Sequence, residues 1–150
     1  MPAPEPVPFE GEFLPDHVCP AENVGERVAA AVAWWGLLAV DLLLRIAGFD
    51  RFLRVVRSWP TLGARRQDSE ASRWISAAVD RAATHYFKRA WCLQRSAANV
   101  CLLRLCGIEA ELVIGARKLP FGAHAWVEVG GKVINNSPLV REWYAVLERC

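Results

Sequence analysis

The hydrophobic period of this chain changes once, at Gly107. Before it, Ala71, Trp74, Ile75, Ala78, Val79, Ala82 and Tyr86 recur three and four residues apart, as on one face of a helix. After it, Leu112, Ile114 and Ala116 alternate with Glu111, Val113, Gly115 and Arg117, as in a strand. N-terminal helices followed by a small antiparallel sheet make an α+β fold. A chain of 150 residues that is 53% hydrophobic can bury one real core.

Three regions follow from composition. Residues 1–22 hold six prolines and five acidic residues, with no Lys or Arg. They read as an extended tail, laid over the domain from about Phe13. Residues 23–67 form an apolar and basic helical region. Asn23 with Glu26 reads as a helix cap, and Val28 to Val40 is apolar on every side, Trp34 and Trp35 included. Thirteen such residues are too few for a bilayer, which needs roughly 20. The reading for 28–47 is a helix buried or covered by a partner, with membrane-surface contact as the alternative. Gly48 ends that helix, and Asp50 is expected to cap a second one reaching Trp59.

Residues 68–150 read as the core. Asp68 or Ser69 opens a third helix, and a fourth runs from Cys92 to Cys106 with Gly107 just past its end. The second strand spans 123–129, Gly130-Gly131 signals a tight hairpin, and 132–135 returns. After Ser137-Pro138 the pattern fits a short helix or an edge strand.

A net charge of +2 disfavours a nucleic-acid binder. Residues 45–104 nonetheless carry twelve Lys or Arg against four Asp or Glu, either as solvated faces or as a surface for an acidic partner. Five cysteines without paired spacing make neither a disulfide scaffold nor a zinc site. No basic-then-apolar leader opens the chain, so a cytoplasmic, reducing location is expected, where free thiols persist.

Cys92 stands where a loop meets a helix, and the unpaired N–H groups and dipole there favour a thiolate and could hold an oxyanion. A buried, inert thiol is the bland alternative. Cys101 faces the other side of the helix, and Cys106 lies about 21 Å further along it. Cys19 and Cys150 lack a helix start. His124 opens a strand between Ala123 and Ala125, which leaves an approach to its ring, as a general base needs. His85, on an apolar stripe, reads as a core or flanking residue. Gln94 is a candidate oxyanion donor, with a surface glutamine as the alternative. Asn135 or Asn136 could fix the His124 tautomer. A two-residue hairpin puts Asn135 on the His124 face; a longer loop or a bulge puts Asn136 there.

The stretches Cys92-Leu93-Gln94-Arg95-Ser96, Gly107 to Arg117, and Pro120-Phe121-Gly122-Ala123-His124-Ala125-Trp126-Val127-Glu128 together resemble the lasso-peptide leader peptidases, which are transglutaminase-like cysteine proteases. The resemblance is strong from Trp91 to Ser137. It implies a papain-like protease core with Cys92 as nucleophile, His124 as base and Asn136 as third member, at a position that is usually Asp. Trp126 and the loop 117–122 would line the cleft. It implies no cofactor. It implies as partners a precursor peptide, a separate winged-helix leader-recognition protein and an ATP-dependent cyclase. Acyl transfer and a non-catalytic scaffold are the competing functions.

Overall fold

The computed structural model describes residues 24–63 and 68–150. The tail, the Asn23 cap and Cys19 lie outside the described residues. Four helices come first: α1 (Val24–Ala47), α2 (Phe49–Ser58), α3 (Ser69–Thr84) and α4 (Cys92–Leu105). Then follow β1 (Ala110–Arg117), β2 (Gly122–Val129), β3 (Lys132–Val133), α5 (Val140–Trp143) and β4 (Ala145–Arg149). The fold is α+β, as the change of period implies.

α4 is the central element. It packs on α1 and α3 on one side and on β1 and β2 on the other. Its sequence suits burial all round: Ser96, Ala97, Ala98 and Asn99 are small or internally bonded, and Val100 and Leu103 fill the space beyond them. Asn99 Nδ2 donates to Ser76 on α3 at 2.9 Å. Arg104, also buried, donates to the carbonyls of Ala110 and Val56 and so pins β1 and α2 to the end of α4. Gly107 supplies the positive φ of 79° that turns the chain from helix to strand.

The sheet is antiparallel, in the order β3-β2-β1-β4. The Val129–Lys132 pair confirms the tight Gly130-Gly131 hairpin. The returning strand is shorter than expected. After Val133, Asn135 Oδ1 takes the Val127 N–H at 2.7 Å, and the ladder stops. Both readings of the C-terminal stretch hold: α5 is a single turn, and β4 pairs with the free edge of β1. One sheet face, with Ala110, Leu112, Ala125 and Val127, joins the main core under α4. The other carries a small cluster of Val113, Trp126 and Val140.

Asp68 caps α3, its carboxylate accepting from the Glu70 and Ala71 N–H groups at 3.0 Å each. Asp50 does not cap α2. Gly48, at φ 78°, fills that position, and Asp50 sits inside the first turn. α1 is longer than its apolar segment suggests. At 24 residues it is long and apolar enough to cross a membrane by length and composition. Its inner face, with Ala33, Leu37 and Val40, belongs to the core. Its outer face exposes Val28, Val32, Trp35, Leu42 and Ile46, so the amphipathy the sequence hides is set by packing.

Candidate functional site

Cys92 is the first residue of α4 and is partly exposed. Trp91 before it offers no side-chain cap. The first-turn N–H groups of α4 therefore point out of the helix start without a capping side chain. Gln94 instead reaches back, its Oε1 accepting the Trp91 N–H at 2.8 Å. Its Nε2 donates to Asp41 Oδ1 at 2.8 Å. Asp41 is buried on α1 and also binds Lys88 and, at 3.3 Å, Arg45. Burial opposes its ionisation, but Lys88 and Gln94 win and hold its carboxyl below the usual range. The loop leading to Cys92 is thus tied to α1 at Lys88 and at Gln94.

Ser96, one turn after Cys92, donates to the Ala125 carbonyl at 3.0 Å. Arg104 meets Ala110, the partner of Val129, at the other end. α4 therefore runs alongside β2 in the same direction. Stepping back one turn from Ser96, about 6 Å, matches about two strand residues and brings Cys92 level with Ala123 on the α4 side of the sheet; His124 lies on the other face, linked to the first turn of α4 by the Arg95 charge that acts on its ring.

His124 pairs with Gly115 and shares a face with Trp126. Its Nε2 lies 2.6 Å from Asn136 Nδ2, and Asn136 Oδ1 accepts the Ser137 N–H at 2.8 Å. Its ring lies 5.4 Å from that of Tyr144 and 6.4 Å from that of Trp126. Burial, then the cations of Arg95 in the first turn of α4 and Arg117 at the end of β1, push its pKa below the ordinary imidazole value. Of the two asparagines, Asn136 meets the ring. Asn135 is a clamp: it accepts from Val127 and donates to Ser96 Oγ at 2.9 Å, joining the sheet to α4. The structure brings His124 and Asn136 together. It does not join Cys92 to His124 by a hydrogen bond.

Two sequence expectations change. Trp126 is fully buried and cannot line a cleft; its Nε1 donates to Glu128 at 2.8 Å. Gly115 makes room for it, since a Cβ there would stand 2.9 Å from the Trp126 ring. Gln94 is buried with both ends of its amide engaged, so its role is to shape the helix start. The apolar groups exposed beside the site are others: Trp91, and Leu119 and Phe121 in the β1–β2 loop, the last two 92% and 85% exposed. Only the loop was legible in sequence. Trp91 carried the signal of a large apolar residue next to a nucleophile candidate. His85 caps the end of α3 and is exposed, outside the core. Cys101 is pushed up to about 11 by burial, and burial likewise raises Cys150. Cys106 is exposed.

A cleft of about 940 Å³ lies elsewhere, lined by Arg57, Arg104, Glu111, Glu128, Arg141 and Arg149 among others. Its cations are neutralised or bonded: Arg57 by Glu148, Arg141 and Arg149 by Glu128, and Arg104 by carbonyls. Among the described residues no group of three or more metal-ligating side chains occurs.

The chain is 48% identical over 56 residues to the microcin J25-processing protein McjB of Escherichia coli. That match covers 37% of this chain and 27% of that protein, so the chain spans about a quarter of the length of this relative. No solved structure matches. Residues 36–149, from the middle of α1 to the end of β4, match the family model of the transglutaminase-like superfamily, and the chain belongs to that superfamily.

Proposed function

We propose that this chain is a cysteine peptidase that removes the leader from a lasso-peptide precursor. The observation that carries the reading is the Asn136–His124 contact, with Arg95 from the first turn of α4 among the charges acting on the ring. Nδ1 is the ring nitrogen that Asn136 does not touch, and in this reading it is the one that serves the Cys92 thiol. The Cys92 sulfur attacks the carbonyl carbon of the last leader residue while its proton passes to His124. First-turn N–H groups of α4 hold the oxyanion. The tetrahedral species collapses to a thioester, and His124 gives its proton to the departing core-peptide amine. Water then attacks the thioester, which yields a free leader carboxylate and restores the thiol. Trp91, Leu119 and Phe121 offer apolar contacts for the bound peptide. The steps need no metal or organic cofactor, and a thiol nucleophile suits a reducing compartment, so we propose a cytoplasmic location.

The likeness to a microcin-processing protein supports a precursor peptide as substrate. The test incubates the full chain with precursor and a leader-recognition protein and follows products by mass spectrometry. We expect cleavage leaving a free leader carboxylate, abolished by Cys92→Ala and by His124→Ala. Capture of the leader acyl group by an amine would replace hydrolysis with acyl transfer. Maturation that survives Cys92→Ala would make the chain a scaffold.

We propose the leader-recognition protein as the occupant of the outer face of α1, where Val28, Val32, Trp35, Leu42 and Ile46 stand exposed at intervals of four, three, seven and four residues. Arg51 and Arg54 extend the surface on α2, whereas Arg57 is held by Glu148 at 2.6 Å. Trp35→Glu with Ile46→Glu should remove the partner from a pull-down. Retained binding would move the interface elsewhere.

A further inference from the structure

The Asn136 amide has a direction that can be read from its neighbours. The Ser137 backbone N–H can only donate, so the Asn136 atom 2.8 Å from it is the oxygen. The NH2 group then faces His124 Nε2 at 2.6 Å, and it too can only donate. Nε2 must present its lone pair. A neutral imidazole with a bare Nε2 carries its proton on Nδ1.

That is the opposite of what a base serving through Nδ1 requires. To accept a thiol proton there, the ring must keep its own proton on Nε2, and that N–H needs an acceptor. An imidazolium needs the same acceptor. In the observed orientation two donors would face each other at 2.6 Å.

Resting on the reading of Cys92 and His124 as nucleophile and base, we propose that Asn136 is a tautomer-setting positioning residue. In the resting protein it holds His124 as the Nδ1–H form, and the proton can move from Cys92 only after the amide turns over. The turn presents Oδ1 to Nε2–H and gives up the Ser137 N–H. A carboxylate at this position has no such conflict, since one oxygen accepts from Ser137 while the other accepts from the ring.

The surroundings act in the same direction. The charged groups acting on His124 are Arg95 from α4 and Arg117 from β1; Tyr144 and Trp126 contribute rings, and Asn136 its amide. Among the described residues no carboxylate bonds to the ring. The two cations and burial hold the imidazole neutral.

The test reads the ring nitrogens of His124 by long-range 1H–15N NMR on the full 15N-labelled chain, assigned with His124→Gln. We expect Nδ1 protonated and Nε2 bare at neutral pH. Asn136→Asp should move the proton to Nε2 and let the imidazolium persist to higher pH. It should also raise the rate of Cys92 alkylation at neutral pH by about three- to tenfold, the worth of one hydrogen bond no longer surrendered. Asn136→Ala, which removes the donor, should shift the ring toward Nε2–H if the aspartate variant folds poorly. A wild-type ring already protonated on Nε2, or one whose tautomer neither variant moves, overturns the inference. The readout needs no substrate. A bare Nε2 in a chain that never cleaves precursor would sink the peptidase reading alone, and cleavage by a chain with Nε2–H would sink this one alone.

Discussion

His124 and Glu128 stand on the same face of β2, four residues apart, in opposite circumstances. Glu128 is buried, and it accepts from Trp126 Nε1, Arg141 Nε and Arg149 Nη1 at 2.8, 2.8 and 2.9 Å. Burial opposes its charge, but those three donors prevail and draw its carboxyl down to about 2. Among the described residues His124 has one hydrogen-bond partner, that partner donates, and burial and the nearby cations disfavour its charged form. A saturated polar group builds structure; an undersatisfied one at a strand opening is left able to exchange protons. The largest perturbation in the sheet therefore marks the cleft that does no chemistry in our reading.

Substitutions can break or sharpen that contrast. The largest effect is expected at the open end: Cys92→Ala should lower precursor cleavage by at least about 10³-fold, while thermal melting stays unchanged. At the closed end, Glu128→Gln should cost about 2–3 kcal/mol in a denaturant titration, because Arg141 and Arg149 lose their shared carboxylate. The pH dependence has a definite sign. The Glu128 pKa is depressed on folding, so its stabilisation is complete above about 4.5 and drains away as pH falls toward about 2. Glu128→Gln should flatten acid unfolding in that window, and an unaltered curve would remove Glu128 as its source. Gly115→Ala, which drives a Cβ into Trp126, should cost about 1–3 kcal/mol and slow cleavage as well, since Gly115 is the pairing partner of His124. Removing the α3 cap with Asp68→Ala should cost only about 1 kcal/mol and leave cleavage alone, as a melt paired with an activity assay would show.

Thiol labelling gives a gentler version of the same comparison. Cys92 should be alkylated fastest, ahead of the exposed Cys106. Cys101, pushed up to about 11, and the buried Cys150 should trail.

What the sequence made legible was local. Gly107, Gly130-Gly131 and Asp68 act through backbone conformation or through neighbours two and three residues away, and each stands where its chemistry puts it. Gln94 looked like an oxyanion donor because it lies two residues from Cys92, yet the partner that claims its amide is Asp41, 53 residues upstream. Trp126 read as a cleft residue because alternation gives a face but not whether that face is covered; Val113, Val140 and Tyr144 cover it. Neither asparagine could be chosen from register alone. Asn135 spends its side chain on ending β3, and so the chain leaves the sheet where Asn136 can meet His124. The exposed side of α1 was invisible too, because its sequence is apolar on both sides and only the packing of α3 and α4 distinguishes them.

The tie from Asp41 through Gln94 to the Trp91 N–H has a consequence for genetics. A screen for inactive variants scores phenotype, not proximity, and it will return hits at residues 41, 88 and 94 that look unrelated on a linear map. Asp41→Asn and Lys88→Met are expected to share the phenotype of Cys92 variants, because each loosens the floor on which Cys92 stands. A map of loss-of-function alleles would thus draw the anchor of α4 before any substrate is known.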